Sequence, residues 1–337
     1  MRFFLTAAAA AVLALMHATV PLAQTVPQLR FAYPGPPNTP YNTKVFTPWA
    51  ADVTKASNGA VEVKMFTGPV LGTDQNIYDR TIAGVADIAF GVFGPFSSQF
   101  RQTNVATLPF ESRKQSEAAE ALWRLYSKGV TTAEYSKVHV LAVLAFPGLV
   151  IHSKRPIHTL ADIKGMKISV EGRVLSAAME QLGAVPISLI PGELYESLQR
   201  GMIEAAPQGW PSVPTFHLNE VTTYHLEVPI GMNTGFVFMN KEAYAKLAPQ
   251  AKQAVDSLSG EVFVQRLIKA GDEIETAARD ATKAMPGQTV AALAPDEEKR
   301  WQEKLQPITD NWIKETPDGT KVLAAFREEI AAIRAGK

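Results

Sequence analysis

Hydrophobic and polar positions divide the first part of the chain into strands and helices. Residues 61–66 alternate between apolar and polar side chains, while residues 29–33 and 86–90 are apolar runs of strand length. Between these runs, residues 46–56 and 74–84 carry apolar side chains at helical spacing. Strands that alternate with helices are typical of a parallel α/β domain. The pattern therefore predicts an α/β fold.

The middle and the C-terminal part of the chain repeat these two patterns. Residues 138–145 and 234–240 predict strands. The segment 161–210 predicts a strand, a helix, a second strand, a second helix and a final loop. From Tyr244 onward, apolar positions recur at helical spacing, and we expect helices to the end of the chain.

Residues 1–23 have the pattern of a cleavable export signal. Arg2 supplies a positive charge, an apolar run extends from Phe3 to Met16, and small residues lead to a cleavage position near Ala23. The apolar run is shorter than the roughly 20 residues that span a bilayer, which favours a signal peptide. An uncleaved membrane anchor is the alternative. We expect the mature protein in the periplasm.

Composition limits the classes of function that remain. Lys plus Arg equals Asp plus Glu, at 33 each, which argues against a general nucleic-acid or membrane-surface role. The chain has no cysteine, so disulfides, thiol nucleophiles and lipid-modified cysteines are excluded. The spacing of His217 and His225 matches no metal motif, and the sequence has no G-x-S-x-G nucleophile elbow. We therefore expect no enzymatic activity, no metal and no cofactor.

Three motifs in the middle of the chain carry the most information about its class. They are DIKGMKIS at 162–169, LGAVP at 182–186 and ELYESLQRG at 193–201. The segment closely resembles the middle of the solute-binding proteins of TRAP (tripartite ATP-independent periplasmic) transporters. In that family it reads D-L-K-G-hydrophobic-K-hydrophobic-R, then L-G-A-x-P, then E-x-Y-x-A/S-L-Q-x-G. Ser169 stands where the family usually places a ligand-binding arginine.

Shorter motifs extend the resemblance over nearly all of the mature chain. They are VEVKMFTGPVLG at 61–72, GVADIA at 84–89, LPF at 108–110 and MNK at 239–241. The resemblance is weakest in the C-terminal helices. It implies a two-domain periplasmic binding protein of type II-like α/β fold, in which helices flank mixed sheets and the ligand cleft lies between the domains.

Domain boundaries follow from the expected crossings of the chain between the two domains. We expect residues 24–146 and 235–275 to form the first domain. Residues 147–234 and 276–337 then form the second domain, with crossings near Phe146 and Thr234.

The resemblance implies a function in transport. A monomeric protein would capture a small organic acid, with an aromatic body as one option, close around it and present it to the membrane permease. A solute-binding partner of a sensor system would have the same cleft, and an exported α/β enzyme is a third class. The sequence supplies no nucleophile or metal constellation for the enzyme.

Arg173 is the first candidate for the contact with a carboxylate. A guanidinium grips a carboxylate through two parallel hydrogen bonds, and the start of a helix favours an anion. The two arginines that the family usually provides are replaced by Ser169 and Leu149. We therefore expect Arg173 to take over the contact, with Ser169 beside it in the cleft. A surface arginine at a helix start, with a neutral or zwitterionic solute, is the alternative.

Aromatic and amide side chains complete the predicted cleft. Gln208 can donate and accept hydrogen bonds, and Trp210 in the same loop offers a flat apolar wall. Phe93 follows a predicted strand, where α/β folds bind ligands, and Tyr41 and Asn233 are further candidates. A structural tryptophan that fills the domain interior is the alternative for Trp210.

Overall fold

The computed structural model describes residues 26–337, so the predicted export signal lies outside the described residues. Within the described part, no helix is long and apolar enough to cross a membrane. The strands are β1 Gln28–Tyr33, β2 Glu62–Thr67, β3 Ile88–Val92, β4 His139–Ser153, β5 Lys167–Val170, β6 Val185–Ser188, β7 Ala205–Gln208, β8 Tyr224–Met239 and β9 Thr289–Ala292.

Helices cover the faces of the sheet that these strands form. They are α1 Thr47–Ala56, α2 Ile77–Ile82, α3 Gln115–Ser127, α4 Leu160–Ile163, α5 Arg173–Leu182, α6 Leu194–Gln199, α7 Ser212–Thr215, α8 Lys241–Ala245, α9 Pro249–Ser257, α10 Glu261–Ala284, α11 Pro295–Glu315 and α12 Gly319–Arg334. The predicted α/β class is confirmed.

The nine strands form one mixed sheet with the order β2-β1-β3-β8-β4-β7-β5-β6, and β9 adds to β8. Strands β1, β2 and β3 pair in parallel, as do β5, β6 and β7. The antiparallel pair β4 and β8 joins these two groups. The predicted strands at 138–145 and 234–240 are parts of these two longer strands. Their register shifts around Gly148, where the pairing passes from one group to the other.

Apolar side chains collect on both sides of this crossing and define two lobes. The first lobe is built on a cluster that includes Phe31, Phe46 and Trp49. The second lobe is built on two smaller clusters, one with Ile168 and Trp301 and one with Leu198 and Trp210. Because β4 and β8 run through both lobes, they are the connection across which the lobes can move relative to each other.

Helix α12 packs on the first lobe, although the predicted division placed residues 276–337 in the second domain. Its apolar side chains Val322 and Phe326 belong to the first cluster. Arg334 donates two hydrogen bonds to Glu117 of α3, at 2.9 and 3.0 Å. The amphipathic pattern of α12 predicted its helix but could not tell which lobe would cover its apolar face.

Strand β9 interrupts the region in which we expected only helices. It lies between α10 and α11 and pairs in parallel with β8, with Tyr224 opposite Thr289 and Glu227 opposite Ala292. A four-residue segment of this kind has too short a pattern to be distinguished from a helix end. The segment is a strand because it pairs with the edge of β8 that is otherwise unpaired in the second lobe.

Candidate functional site

A cleft of about 560 Å³ lies between the two lobes. Its volume is in the range of small-molecule sites. From the first lobe it is lined by Tyr41, Asp74 and Phe90, and from the second lobe by Glu171, Gln208 and Phe216. The cleft is therefore enclosed only while the two lobes face each other at this distance.

The ends of three strands place the side chains of the cleft. Strand β3 ends at Val92 in the first lobe, while β5 and β7 end at Val170 and Gln208 in the second. Ligands of open α/β sheets bind at the carboxyl ends of strands, because the loops that follow them converge there. The cleft lies at this position in both lobes at once.

The lobes approach each other closely at one edge of the cleft, at Gly94 and Gly172. A Cβ atom added to Gly172 would lie 3.7 Å from Gly94 Cα and 3.8 Å from its carbonyl oxygen. Gly172 also has a φ of 78°, in the left-handed region that favours glycine. The backbones of the loops after β3 and β5 are thus in near contact, and the structure corresponds to a closed arrangement.

Glu171 is a half-buried carboxyl group of the cleft, and the sequence analysis did not select it. Gln208 Nε2 donates to Glu171 Oε1 at 3.2 Å, and Gln208 Oε1 accepts from Ser212 at 3.2 Å. Burial raises the pKa of Glu171 to about 7, with a further increase from the charge of Asp74. The sequence contained one feature that could have identified Glu171 as a cleft residue: it is an acidic residue that follows a predicted strand and precedes Gly172.

The charged side chains that line the cleft are all acidic. They are Asp74, Glu171 and Glu193, and the lining contains no Lys, Arg or His among the residues that the structure describes. Burial also raises the pKa of Asp74. Within residues 26–337, no three His, Asp or Glu side chains are grouped to hold a metal ion.

Tyr41 lines the cleft from the first lobe, where sequence analysis expected it. Its ring meets that of Phe146 edge to face, at 5.3 Å between centroids, and Phe146 meets Phe90 in the same way at 6.0 Å. These three rings form the aromatic wall of the cleft. The buried Tyr41 hydroxyl makes no hydrogen bond within residues 26–337, and burial raises its pKa far above the usual range.

Phe93 lies in the core of the first lobe, although sequence analysis placed it in the cleft. Its ring is fully buried and lies 4.6 Å from that of Phe100 and 5.2 Å from that of Phe236. Strand β3 ends at Val92, and Phe93 already has helical backbone angles, with φ −77° and ψ −15°. The chain turns here, so the side chain of Phe93 packs in the core while Phe90 and Val92 line the cleft.

Trp210 is buried in the second lobe and does not line the cleft. Its Nε1 donates to Glu227 at 3.1 Å, and its ring packs against His152 and His225 at 5.4 and 5.3 Å. The two histidines are themselves joined by an Nδ1–Nδ1 hydrogen bond of 2.7 Å. Gln208, two residues earlier, does line the cleft, so one loop serves both the site and the core.

The remaining candidates lie at different distances from the cleft. Asn233 lines it. Arg173 lines a small neighbouring cavity that shares Gly94, Glu171 and Gly172 with the cleft. Ser169 is buried in β5 with no hydrogen-bond partner for its hydroxyl among the described residues. Glu171, which follows the end of β5, lines the cleft, whereas Ser169 within the strand does not.

The model of bacterial extracellular solute-binding protein family 7 matches residues 31–316. The outer membrane transporter protein TsaT of Comamonas testosteroni is 29% identical over 308 residues, which cover 88% of this chain and 90% of that protein. The C4-dicarboxylate-binding periplasmic protein DctP of Rhodobacter capsulatus is 25% identical over 94% of this chain and 97% of its own length.

A solved structure of a marine-metagenome TRAP solute-binding protein has a similar fold. The TM-score is 0.86 at 25% identity, with 91% of this chain and 99% of that chain covered. That protein is described as specific for aromatic acid ligands and was solved with metahydroxyphenylacetate. At this coverage the similarity of fold extends over both lobes.

Proposed function

The chain belongs to family 7 of the bacterial extracellular solute-binding proteins, the solute-binding components of TRAP transporters, and on that basis we propose that its cleft captures a small organic acid. The solute has an apolar or aromatic body. Its relatives include proteins named for C4-dicarboxylate binding and for aromatic acid ligands. The side chains that line the cleft of this chain support this choice of solute.

The single observation that supports this proposal most is the composition of the cleft from both lobes. The wall of Tyr41, Phe90 and Phe146 is apolar, and the opposite side holds the polar groups of Glu171 and Gln208. Aromatic rings bury a flat body at little cost in side-chain entropy. A solute with one apolar end and one polar end can satisfy both sides only when the lobes are closed.

In this proposal, the carboxylate of the solute lies at the start of α5. This helix has no side-chain cap and no acidic residue in its first turn, so its free N–H groups favour an anion. Arg173 lies at the same point, next to the cleft, and Asn233 and Gln208 add amide donors. Arg173 would then contact the carboxylate of the solute from the edge of the cleft.

Ligand capture proceeds by closure of the lobes around β4 and β8. Closure brings Gly94 and Gly172 together and excludes water, which strengthens the polar contacts of the solute. The loaded monomer is then presented to the membrane permease of the transporter. The protein releases the solute unchanged and acts as a binding protein, with no catalysed reaction.

Export precedes this function. Residues 1–23 serve as the cleaved signal, and the mature protein works in the periplasm, as its family does. Mass spectrometry of periplasmic material tests this step. A mature N-terminus near Gln24 is expected, whereas intact Met1 on a membrane-bound product would overturn it.

A thermal-shift screen of organic acids, followed by calorimetry on each hit, tests the proposed function. A ligand that binds only the folded protein stabilises it by RT ln(1 + [L]/Kd), about 2.7 kcal/mol at a hundredfold excess over Kd. Gln208→Ala is the matched variant that removes one polar contact in the cleft. The proposal fails if no organic acid raises the unfolding temperature of the parent protein. It also fails if small-angle scattering shows no compaction with a saturating acid.

A further inference from the structure

The polar side of the cleft presents hydrogen-bond acceptors more than donors. Its charged groups are the carboxyls of Asp74, Glu171 and Glu193. A solute whose only polar group is a carboxylate would bring a further negative charge among these carboxyl groups, and negative charges in a poorly solvated site repel each other. The lining therefore favours a solute that carries a hydrogen-bond donor in addition to its carboxylate.

Glu171 is the acceptor that is placed to meet a ligand. Its Oε1 accepts the hydrogen bond from Gln208, while its Oε2 accepts none among the described residues. Glu171 is partly exposed to the cleft, and Gly94 of the opposite lobe lies beside its Oε2. A solute in the cleft would displace the water around this oxygen, and a donor on the solute would then replace the hydrogen bonds that the water made.

The position of Glu171 also fixes where this donor must be. Glu171 is followed directly by Gly172 and by Arg173, the first residue of α5. The group that accepts a hydrogen bond and the helix start that favours a carboxylate are therefore consecutive in the chain. A solute that uses both must carry its donor close to its carboxylate.

We infer that the solute is an organic acid that carries a hydroxyl or an ammonium group on the carbon next to its carboxylate, and that Glu171 accepts the hydrogen bond from that group. This inference rests on the proposed function, because it places the carboxylate at the start of α5. It makes Glu171 the residue that determines specificity. The body of the solute lies against Tyr41 and the neighbouring rings, and does not reach Glu171.

Two matched series of acids test the inference by calorimetry. Phenylacetate, mandelate and 2-phenylglycine share a body and a carboxylate, and they differ only in carrying hydrogen, hydroxyl or ammonium on the adjacent carbon. Propionate, lactate and alanine repeat the series with a small aliphatic body. Each series is titrated into the parent protein, Glu171→Gln and Glu180→Gln. The Glu180 variant removes one negative charge from an exposed position of α5 that does not line the cleft.

In at least one series, the hydroxyl or ammonium acid should bind the parent about tenfold or more tightly than the unsubstituted acid. Glu171→Gln should reduce this ratio to about threefold or less, with the largest loss for the ammonium acid and a gain for the unsubstituted one. Glu180→Gln should leave the ratio as in the parent. Because the variants are compared as ratios on folded protein, a general loss of stability does not affect the result.

Two results would overturn the inference while the proposed function stands. The first is an unsubstituted acid that binds the parent as tightly as its hydroxyl and ammonium analogues. The second is a donor preference that Glu171→Gln leaves unchanged. If no acid of any kind stabilises the protein, the proposed function and this inference fall together.

Discussion

Arg173 and Glu315 form an ion pair of 2.9 Å between the start of α5 and the end of α11. Both side chains are mostly exposed, at 63% and 58%. An exposed pair of this kind contributes at most about 1 kcal/mol to stability. The guanidinium can therefore leave Glu315 at little cost, and its other surroundings include the small cavity next to the cleft.

Substitution of Arg173 distinguishes a ligand contact from a surface ion pair. We expect Arg173→Ala to weaken binding of the preferred acid about tenfold or more, which corresponds to about 1.4 kcal/mol. Glu315→Gln breaks the same ion pair but leaves the guanidinium, so it should bind the acid at least as tightly as the parent. Calorimetry on both variants decides the question. Equal affinities for Arg173→Ala and the parent would remove Arg173 from the site.

Glu171 should make the stability of the ligand-free protein depend on pH. Its folded-state pKa of about 7 lies above its usual value of roughly 4.3. The folded protein therefore holds a proton that the unfolded chain has lost, and stability falls as pH rises through this window. Relative to Glu171→Gln, the free energy of unfolding of the parent should fall by on the order of 1–3 kcal/mol between about pH 5 and pH 8. Denaturant titrations at several pH values measure it, and parallel profiles would contradict the prediction.

Closure should be sensitive to the size of the side chain at position 94. A Cβ atom on Gly94 would lie 3.7 Å from Glu171 Cβ, which is an ordinary contact. Gly94→Ala should therefore bind the acid within about threefold of the parent. The branches of Gly94→Leu would reach into Glu171 and hold the lobes apart, with a loss of about tenfold or more. Scattering should show the leucine variant remaining expanded with ligand. Identical compaction in both variants would count against closure at this contact.

Trp210 should affect stability more than binding. Trp210→Phe removes the hydrogen bond to Glu227, whose carboxylate also accepts two hydrogen bonds from Arg279, at 2.6 and 3.0 Å. We expect a loss of about 1–3 kcal/mol in the free energy of unfolding. Trp210→Ala also leaves a cavity and should cost about 3–5 kcal/mol. Affinity of the folded phenylalanine variant should stay within about threefold of the parent. A large loss of affinity at unchanged stability would place Trp210 in the site instead.

The local patterns of the sequence were sufficient for the class of fold. Apolar runs at residues 29–33 and 86–90 became β1 and β3 because alternation and helical spacing are properties of neighbouring residues. The motifs at 162–169 and 193–201 led to the family, which the match over residues 31–316 confirmed. The sequence pattern did not predict strand β9, because its conformation depends on pairing with β8, which is distant in the chain.

The side chains of the cleft were only partly accessible from the sequence. Tyr41 and Gln208 line it as predicted. Phe93 and Trp210 have the right chemistry for a ligand wall but pack in the cores of the two lobes. The face of a strand or loop that each side chain occupies depends on the end of β3 and on the packing around His152, and neither is visible in the order of residues.

The sequence by itself determined the α/β elements and the family. Only the tertiary structure decided that Glu171, and not Arg173, lies in the lining of the cleft. Local elements follow from interactions between residues a few positions apart, which the sequence displays directly. Glu171 lies beside Gly94 of the opposite lobe, and such a contact exists only once the chain has crossed twice between the lobes through β4 and β8.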